Sequence, residues 1–518
     1  MPDLWLLLIP GLPLLAACWI AARLLLRWGR GDEAEYLTAY SVMGAGALSL
    51  LLIVVAAVQV VITGAAQQVL LLPWLHSGTY HADISFRLDG LSLSVAAVVA
   101  LITLLVTRFS MNYLHREPGF QRFFMVLALF AAAMQLIVLA GSAWLAFVGW
   151  ELAGASSYLL IAYNWQSKTA TRNATRAFVT NRVGDAGFLL GLFMAFTWFH
   201  SVEWDVLLTP HSEVSSLMVG VTAVGFMLAA LVKSAQFPFS AWITRALEGP
   251  TPSSTVFYGA VMVHAGIYLL LRIHPLLEQA PALQYVLLLL GVLTLLYGWL
   301  GGLVQSDIKT SLLFSTLAQT GLMLVEIALG WYTLALVHLL LHAVWRTYQF
   351  LHSPSFALHV EWQPAPLAPA WLRRWPWLRN AALQRFWLDP LADWLLVKPT
   401  QALSHETQIF DEQILDKLTG TPIHHCCIST LAEMQALQQG TLRLENSVGV
   451  GSGLFGKAMQ GIAEPLEWLE NRLLLQQDGG KAKQRLDKLG GYLDRIERLL
   501  TQPRYLMLLV TVTLVVIF

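Results

Sequence analysis

Apolar stretches of membrane-spanning length recur along this chain, and they decide what it can fold into. Roughly eleven of them, each of about 20 residues, begin near residues 4, 39, 88, 122, 142, 176, 216, 252, 284, 309 and 331. A backbone surrounded by hydrocarbon must satisfy its hydrogen bonds internally, so such segments read as packed helices. The expected class is an all-α polytopic membrane protein. Composition agrees, with 56% hydrophobic and only 12% charged residues, which is not that of one large soluble core. The formal net charge is zero and gives no footprint for nucleic acid. Cys18, Cys426 and Cys427 make no disulfide framework. The first segment, Leu4 to Leu26, is too long and apolar for a signal peptide and lacks a small-residue cleavage site, so it reads as a retained helix.

Loop charges give an orientation. Arg27 and Arg30 follow the first span, Arg108, Arg116 and Arg122 flank the third loop, and Lys168, Arg172, Arg176 and Arg182 follow the fifth span. The intervening loops carry few cations. The positive-inside rule then puts the N-terminus outside and the region after residue 352 on the cytoplasmic side of a plasma or inner membrane. That region changes character. Trp362, Pro364, Pro366, Pro369, Trp371, Trp375, Pro376 and Trp377 suit a membrane interface. Leu486, Leu489, Leu493, Ile496 and Leu500 then form one helical stripe bordered by charge, the pattern of a helix lying along a surface. A short apolar segment from Tyr505 to Phe518 reads as a membrane anchor. Three regions result: a bundle over 1–352, an interfacial and amphipathic region over 353–503, and an anchor over 504–518.

Charges inside the spans are the candidates for chemistry, because an ionisable group in hydrocarbon is costly and is kept for a reason. Glu151 lies far from either end of its span, and Lys233 follows the apolar run Phe226 to Val232. The bland readings are a glutamate acting as structural glue and a lysine snorkelling to the interface. Desolvation and a neighbouring charge move the proton affinities of both groups in opposite directions, so an acid and a base on separate spans can pass protons. His338, His342 and Arg346 are four apart and share one helix face. Imidazoles relay protons through water near neutral pH, while Arg346 stays charged. His264 belongs to the same path or is a satisfied core histidine. Arg182 and Asp185 read as an ion pair, structural first and electrostatically tuning Glu151 second. Pro238 and the run Gly249-Pro-Thr-Pro252 mark broken backbone. His424-His-Cys-Cys427 does not match zinc spacing. No metal and no cofactor is expected.

At these residues the chain resembles the proton-conducting antiporter-like subunits of respiratory complex I (NADH-quinone oxidoreductase subunit 5) and the Mrp antiporters. The resemblance rests on Leu88-Asp-Gly-Leu-Ser92, Gly149-Trp-Glu151, Ala177 to Asp185, Lys233-Ser-Ala-Gln-Phe-Pro238, Glu248-Gly-Pro-Thr-Pro252, Ser306-Asp-Ile-Lys309 and His338-Leu-Leu-Leu-His342. It implies an inverted-repeat bundle with broken helices, Glu151 and Lys233 as its central coupled pair, and a place for Lys309 among the site residues. Asp389 to Pro399, the amphipathic stretch and the last segment are similar to that family's lateral helix and anchor. Three departures stand out. The second repeat looks truncated after the histidine helix, Arg346 replaces the family's lysine, and Tyr258 stands where a histidine is frequent. They suggest a specialised relative, such as one driving inorganic-carbon uptake with a DabA-type soluble zinc protein. A complex I subunit among antiporter-like membrane partners is the alternative, and a non-conducting membrane scaffold another. An oxidoreductase is disfavoured because no cofactor motif is visible.

Overall fold

In the computed structural model of the chain, the structure describes residues 3–26, 32–64, 67–77, 80–210, 214–353 and 368–410. The chain divides into two compact units, Met1–Lys398 and Pro399–Phe518. The stripe from Leu486 to Leu500, the run His424 to Cys427 and the anchor over 504–518 lie outside the described residues.

The elements run α1 (Leu8–Leu25, after a 3-10 turn Leu4–Leu7), α2 (Asp32–Thr63), β1 (Gln67–Ser77), β2 (Tyr80–Leu88), α3 (Gly90–Tyr113), α4 (Phe120–Leu139), α5 (Ala143–Ile161), α6 (Lys168–Phe199) and α7 (Trp204–Leu207). They continue with α8 (Ser216–Lys233), α9 (Thr251–Ser254), α10 (Met262–Arg272), α11 (His274–Glu278), α12 (Pro281–Gly302), α13 (Ile308–Ala328) and α14 (Tyr332–His352). The shorter α15 (Ala370–Arg373), α16 (Pro376–Leu383), α17 (Leu388–Ala392) and α18 (Lys398–Phe410) follow. Among the described residues nine helical segments are long and apolar enough to cross a membrane. The chain is a multi-pass membrane protein. Two further long helices, α6 and α14, fall outside those nine. They are the helices that carry Arg182 with Asp185 and the two histidines with Arg346.

Helix starts follow local chemistry. Asp89 caps α3 through a reciprocal box with Ser92, while Ser142, Ser167, Ser215 and Asp307 accept from the first turns of α5, α6, α8 and α13. Helix α6 begins earlier than the apolar run near residue 176 because the Ser167 cap nucleates two polar turns before the membrane segment. Helix α8 stops at Lys233. Ala235 turns the backbone left-handed, a cis Phe237–Pro238 bond follows, and two 3-10 turns lead to α9. A π-helical stretch, Thr255–Ala260, separates α9 from α10. Within Thr251–Arg272, residues 251–257 and 261–272 are buried in the bundle.

At one point of the contact between α6 and α8 the backbones meet directly. Gly187 and Gly191, spaced as in close-packed membrane helices, face Gly225. A Cβ added at Gly225 would lie 2.5 Å from the Gly191 nitrogen and 2.8 Å from the Gly187 carbonyl oxygen.

The all-α expectation has one exception. Strands β1 and β2 pair antiparallel between α2 and α3. Pro73 in β1 conceals the strand in the sequence, but a two-stranded ribbon consists of edges, where a missing N–H is tolerated. Ser85 of the hairpin and Gln68 bond the carboxylate of Glu203, in the loop after α6, at 2.6 and 2.5 Å. Burial pushes the Glu203 carboxyl upward.

Beyond α14, two aspartates of the Asp389-to-Pro399 stretch clamp the chain onto the bundle. Asp389 accepts from Arg245 at 2.8 Å and from Arg385 at 3.3 Å, and Asp393 accepts from Arg176 Nε at 2.7 Å and Nη2 at 2.5 Å.

Candidate functional site: two buried polar clusters

The first cluster sits where α5, α6 and α8 meet. Glu151 is eight residues into α5, about 12 Å of helical rise from its start, which is well inside a bilayer core of about 30 Å. Arg182 donates from one arm to Glu151 Oε2 at 2.7 Å and pairs through the other with Asp185 Oδ2 at 2.7 Å. Lys233 is 1% exposed. Its ammonium donates to the carbonyl oxygen of Trp150 at 3.0 Å and lies 4.8 Å from the centre of the Trp150 ring. Gly154, one turn past Glu151, leaves the space between two cations: a Cβ there would lie 3.4 Å from Lys233 Nζ and 3.6 Å from an Arg182 nitrogen.

Glu151 and Lys233 are therefore brought together without an ion pair to each other. Arg182 holds the glutamate, and a neutral carbonyl with an aromatic face holds the lysine. Arg182 and Asp185 form the expected ion pair, and Arg182 extends it onto Glu151. Sequence reasoning missed Trp150 as a ligand, since a backbone carbonyl leaves no trace in residue type.

The second cluster joins α10, α13 and α14. His342 Nδ1 meets His264 Nε2 at 2.9 Å, and Arg346 Nε donates to His342 Nε2 at 3.2 Å. An arginine offers only donors, so His342 Nε2 accepts and its proton sits on Nδ1, which donates to His264. Arg346 is itself fixed by Gln349 Oε1 at 2.8 Å and Ser315 Oγ at 2.6 Å. His338, its ring centre 6.0 Å from that of His342, meets Glu326 at 2.9 and 3.1 Å through Nδ1 and Gln319 Oε1 at 3.0 Å through Nε2. Oxygens on both sides suit a doubly protonated ring, and turning the Gln319 amide suits a neutral one.

His264 thus belongs with His338, His342 and Arg346. Lys309 does not: it starts α13 and donates to Thr251 Oγ1 at 2.6 Å, which also contacts the Tyr113 hydroxyl at 3.0 Å. Glu326, Gln319 and Ser315 were not anticipated. Glu326 was legible by the rule that found Glu151, a carboxylate in an apolar run. Between the clusters, Gln236 in the break after α8 donates to Thr320 Oγ1 at 3.1 Å, next in sequence to Gln319. Among the described residues no group of three or more His, Cys, Asp or Glu is placed to hold a metal ion.

At the end of α10, Arg272 pairs with Asp89, one arm reaching Oδ1 at 3.1 Å, and donates to the Tyr268 hydroxyl at 2.9 Å. Burial opposes the charge of Asp89, yet the Arg272 guanidinium, the Ser92 N–H and Arg87 hold its carboxyl well below the usual carboxylate range.

A helical membrane bundle with one acid–lysine cluster and one imidazole chain is the class this arrangement defines. Residues 140–362 match the NADH:quinone oxidoreductase/Mrp antiporter transmembrane family, and residues 74–124 match the N-terminal part of complex I chain 5. The chain belongs to this antiporter-like family of membrane subunits. It is 38% identical over 291 residues to NADH-ubiquinone oxidoreductase chain 5 of Allomyces macrogynus, covering 56% of this chain and 45% of that protein. It is 37% identical over 292 residues to NADH-quinone oxidoreductase subunit L of Mycobacterium tuberculosis, covering 56% and 46%. The chain spans about half the length of the curated relatives it matches. Its fold is similar to a chain of the membrane-bound sulfane sulfur reductase, an archaeal respiratory membrane complex, with a TM-score of 0.57 and 22% identity over 67% of this chain and 70% of that one.

Proposed function

We propose that this chain is a proton-translocating membrane subunit of a multi-subunit, energy-coupled complex. The observation that carries the reading is Lys233, buried without a carboxylate bonded to its ammonium while two carboxylates are held nearby by Arg182. A lysine so placed responds to any charge that moves in the cluster. When Arg182 releases Glu151, the freed carboxylate favours a proton on Lys233. When Arg182 returns, that support is lost and the proton moves on, with the chain of His264, His342 and His338 as its continuation.

Relatives named as complex I chain 5 and subunit L support a complex of that kind, with other antiporter-like membrane subunits as partners. Inorganic-carbon uptake with a soluble zinc partner is the second reading, favoured by Arg346 in place of a titratable lysine. We place the N-terminus outside and the region after α14 on the cytoplasmic side, from the loop charges. The test is proton translocation by the assembled complex in sealed vesicles, comparing wild type with Glu151→Gln and Lys233→Ala. Loss of translocation with assembly intact supports the reading, and a normal rate in either variant ends it. Co-purification of a zinc protein instead of membrane subunits would move the assignment to carbon uptake.

A further inference from the structure

Glu326 is a buried carboxylate between Val325 and Ile327, near the end of an apolar helix. Its position is set by how α13 stops. Gly330 is left-handed (φ 79°), its N–H reaches the Ile327 carbonyl at 3.0 Å, and the Trp331 N–H reaches the Glu326 carbonyl at 2.8 Å. This is the paired hydrogen-bond pattern of a glycine-capped helix end. It fixes Glu326 in the last turn, about 3 Å of rise from Ala328. Helix α14 starts at Tyr332, so Glu326 and the start of α14 lie at the same face of the bundle.

Depth then orders the polar groups. Counted from Tyr332, His338 is about 9 Å into α14, His342 about 15 Å and Arg346 about 21 Å. The sequence of contacts runs from the α13–α14 turn inward as Glu326, His338, His342 with His264, and Arg346 with Ser315. Lys309, at the other end of α13, marks the opposite face.

We infer that Glu326 is the proton-exchanging carboxylate through which the imidazole chain communicates with the face at the α13–α14 turn. This rests on the proton-translocating reading above. A proton leaves His338 Nδ1 for Glu326 Oε1, giving a neutral ring and a carboxylic acid. The acid releases that proton to water at the turn and becomes a carboxylate again; the ring, which keeps its Nε2 proton, turns so that the vacated Nδ1 faces the His342 side and takes up another proton there. One proton enters the chain and one leaves, and no other group is consumed. Glutamate suits this place because both its oxygens lie within hydrogen-bond distance of the ring while its backbone is at the last turn.

A glutamate that merely orients the His338 ring would have the same geometry, so the test separates the two roles. Glu326→Gln keeps an oxygen to accept from the ring but carries no proton, and Glu326→Asp keeps the acid. Proton translocation is measured in sealed vesicles holding the assembled complex, with subunit content checked and Glu151→Gln as control. The expected result is a fall of about tenfold or more in Glu326→Gln, with substantial activity retained in Glu326→Asp. Wild-type translocation in Glu326→Gln, or equal losses in both variants, overturns the inference while the control still shows its own loss. Normal translocation in Glu151→Gln overturns the proton-translocating reading, and the inference with it.

Discussion

The two clusters handle charge in opposite ways. Around α5, α6 and α8 the charges are full and mutually held: one arginine grips two carboxylates, and the lysine beside them is sealed from solvent. Around α10 and α14 there are imidazoles instead, His264 bonded ring to ring with His342 and His338 edge-on to His342, and the one permanent charge, Arg346, is fastened by neutral partners. In the first, a proton changes which ion pairs exist. In the second, it changes which nitrogen of a ring donates. A switch made of ion pairs stores energy in charge separation, whereas a chain of imidazoles conducts with little rearrangement. Under the proposed function, gating and passage would occupy different helices of one bundle.

That contrast is open to direct attack. The largest effect is expected in the first cluster: Lys233→Ala or Glu151→Gln should reduce proton translocation by about 10³-fold with assembly unchanged, measured as acidification of sealed vesicles. A loss no greater than that from the histidine variants would erase the distinction.

Next comes Asp89→Asn, which keeps the helix cap but leaves Arg272 buried without its counter-charge at the end of the helix bearing His264. Thermal unfolding of the purified protein should report a loss of about 3 kcal/mol. The sign with pH follows from the lowered carboxyl of Asp89. Its contribution is present above the unfolded value of about 4 and is lost as pH falls through the still lower folded value. The asparagine variant should therefore lose less stability on acidification than wild type. Equal acid sensitivity would detach Asp89 from the integrity of α10.

Gly225→Ala should cost about 2 kcal/mol by overpacking, and its harm to translocation should follow from displacement of α8 from α6. An alanine accommodated without loss of melting temperature would show that the first cluster tolerates separation of its helices.

The smallest effects belong to the relay. His342→Ala and His338→Ala should each slow translocation by about tenfold. Arg346→Lys should retain more activity than Arg346→Ala, since a fixed cation is what His342 Nε2 faces. The reverse order for Arg346 would make it something other than a fixed charge.

Much of this was legible in the sequence because hydrocarbon imposes a strict rule on length. Helix starts at Leu4, Gly90, Phe120, Ala143, Ser216, Thr251, Pro281, Ile308 and Tyr332 fall within three residues of where the apolar runs begin. Helices α2 and α6 start earlier, at Asp32 and Lys168, because polar turns outside the membrane carry no hydropathy signal. Glu151, Lys233 and the histidine face declared themselves as costly residues in apolar runs. Their partners did not. That Arg182 bridges two acids, and that Lys233 rests on a carbonyl, depends on how α6 rotates against α5 and α8. A one-dimensional pattern does not contain that rotation. Glu326 carries the same signal as Glu151, a carboxylate in an apolar run.

The bare meeting of Gly187, Gly191 and Gly225 has a consequence for timing. Contacts between long side chains yield, because rotamers rearrange as one helix slides over another. Backbone against backbone has no such slack, so at these three glycines α6 and α8 resist sliding past each other. Under the proposed function, a change of proton on Lys233 would be met first by the lysine's own four-carbon stem and the Arg182 fork opposite. Side-chain swings of that kind do not wait on helix displacement, which takes microseconds to milliseconds. The pace of the first cluster would then be set by when charge arrives, not by how fast the scaffold bends.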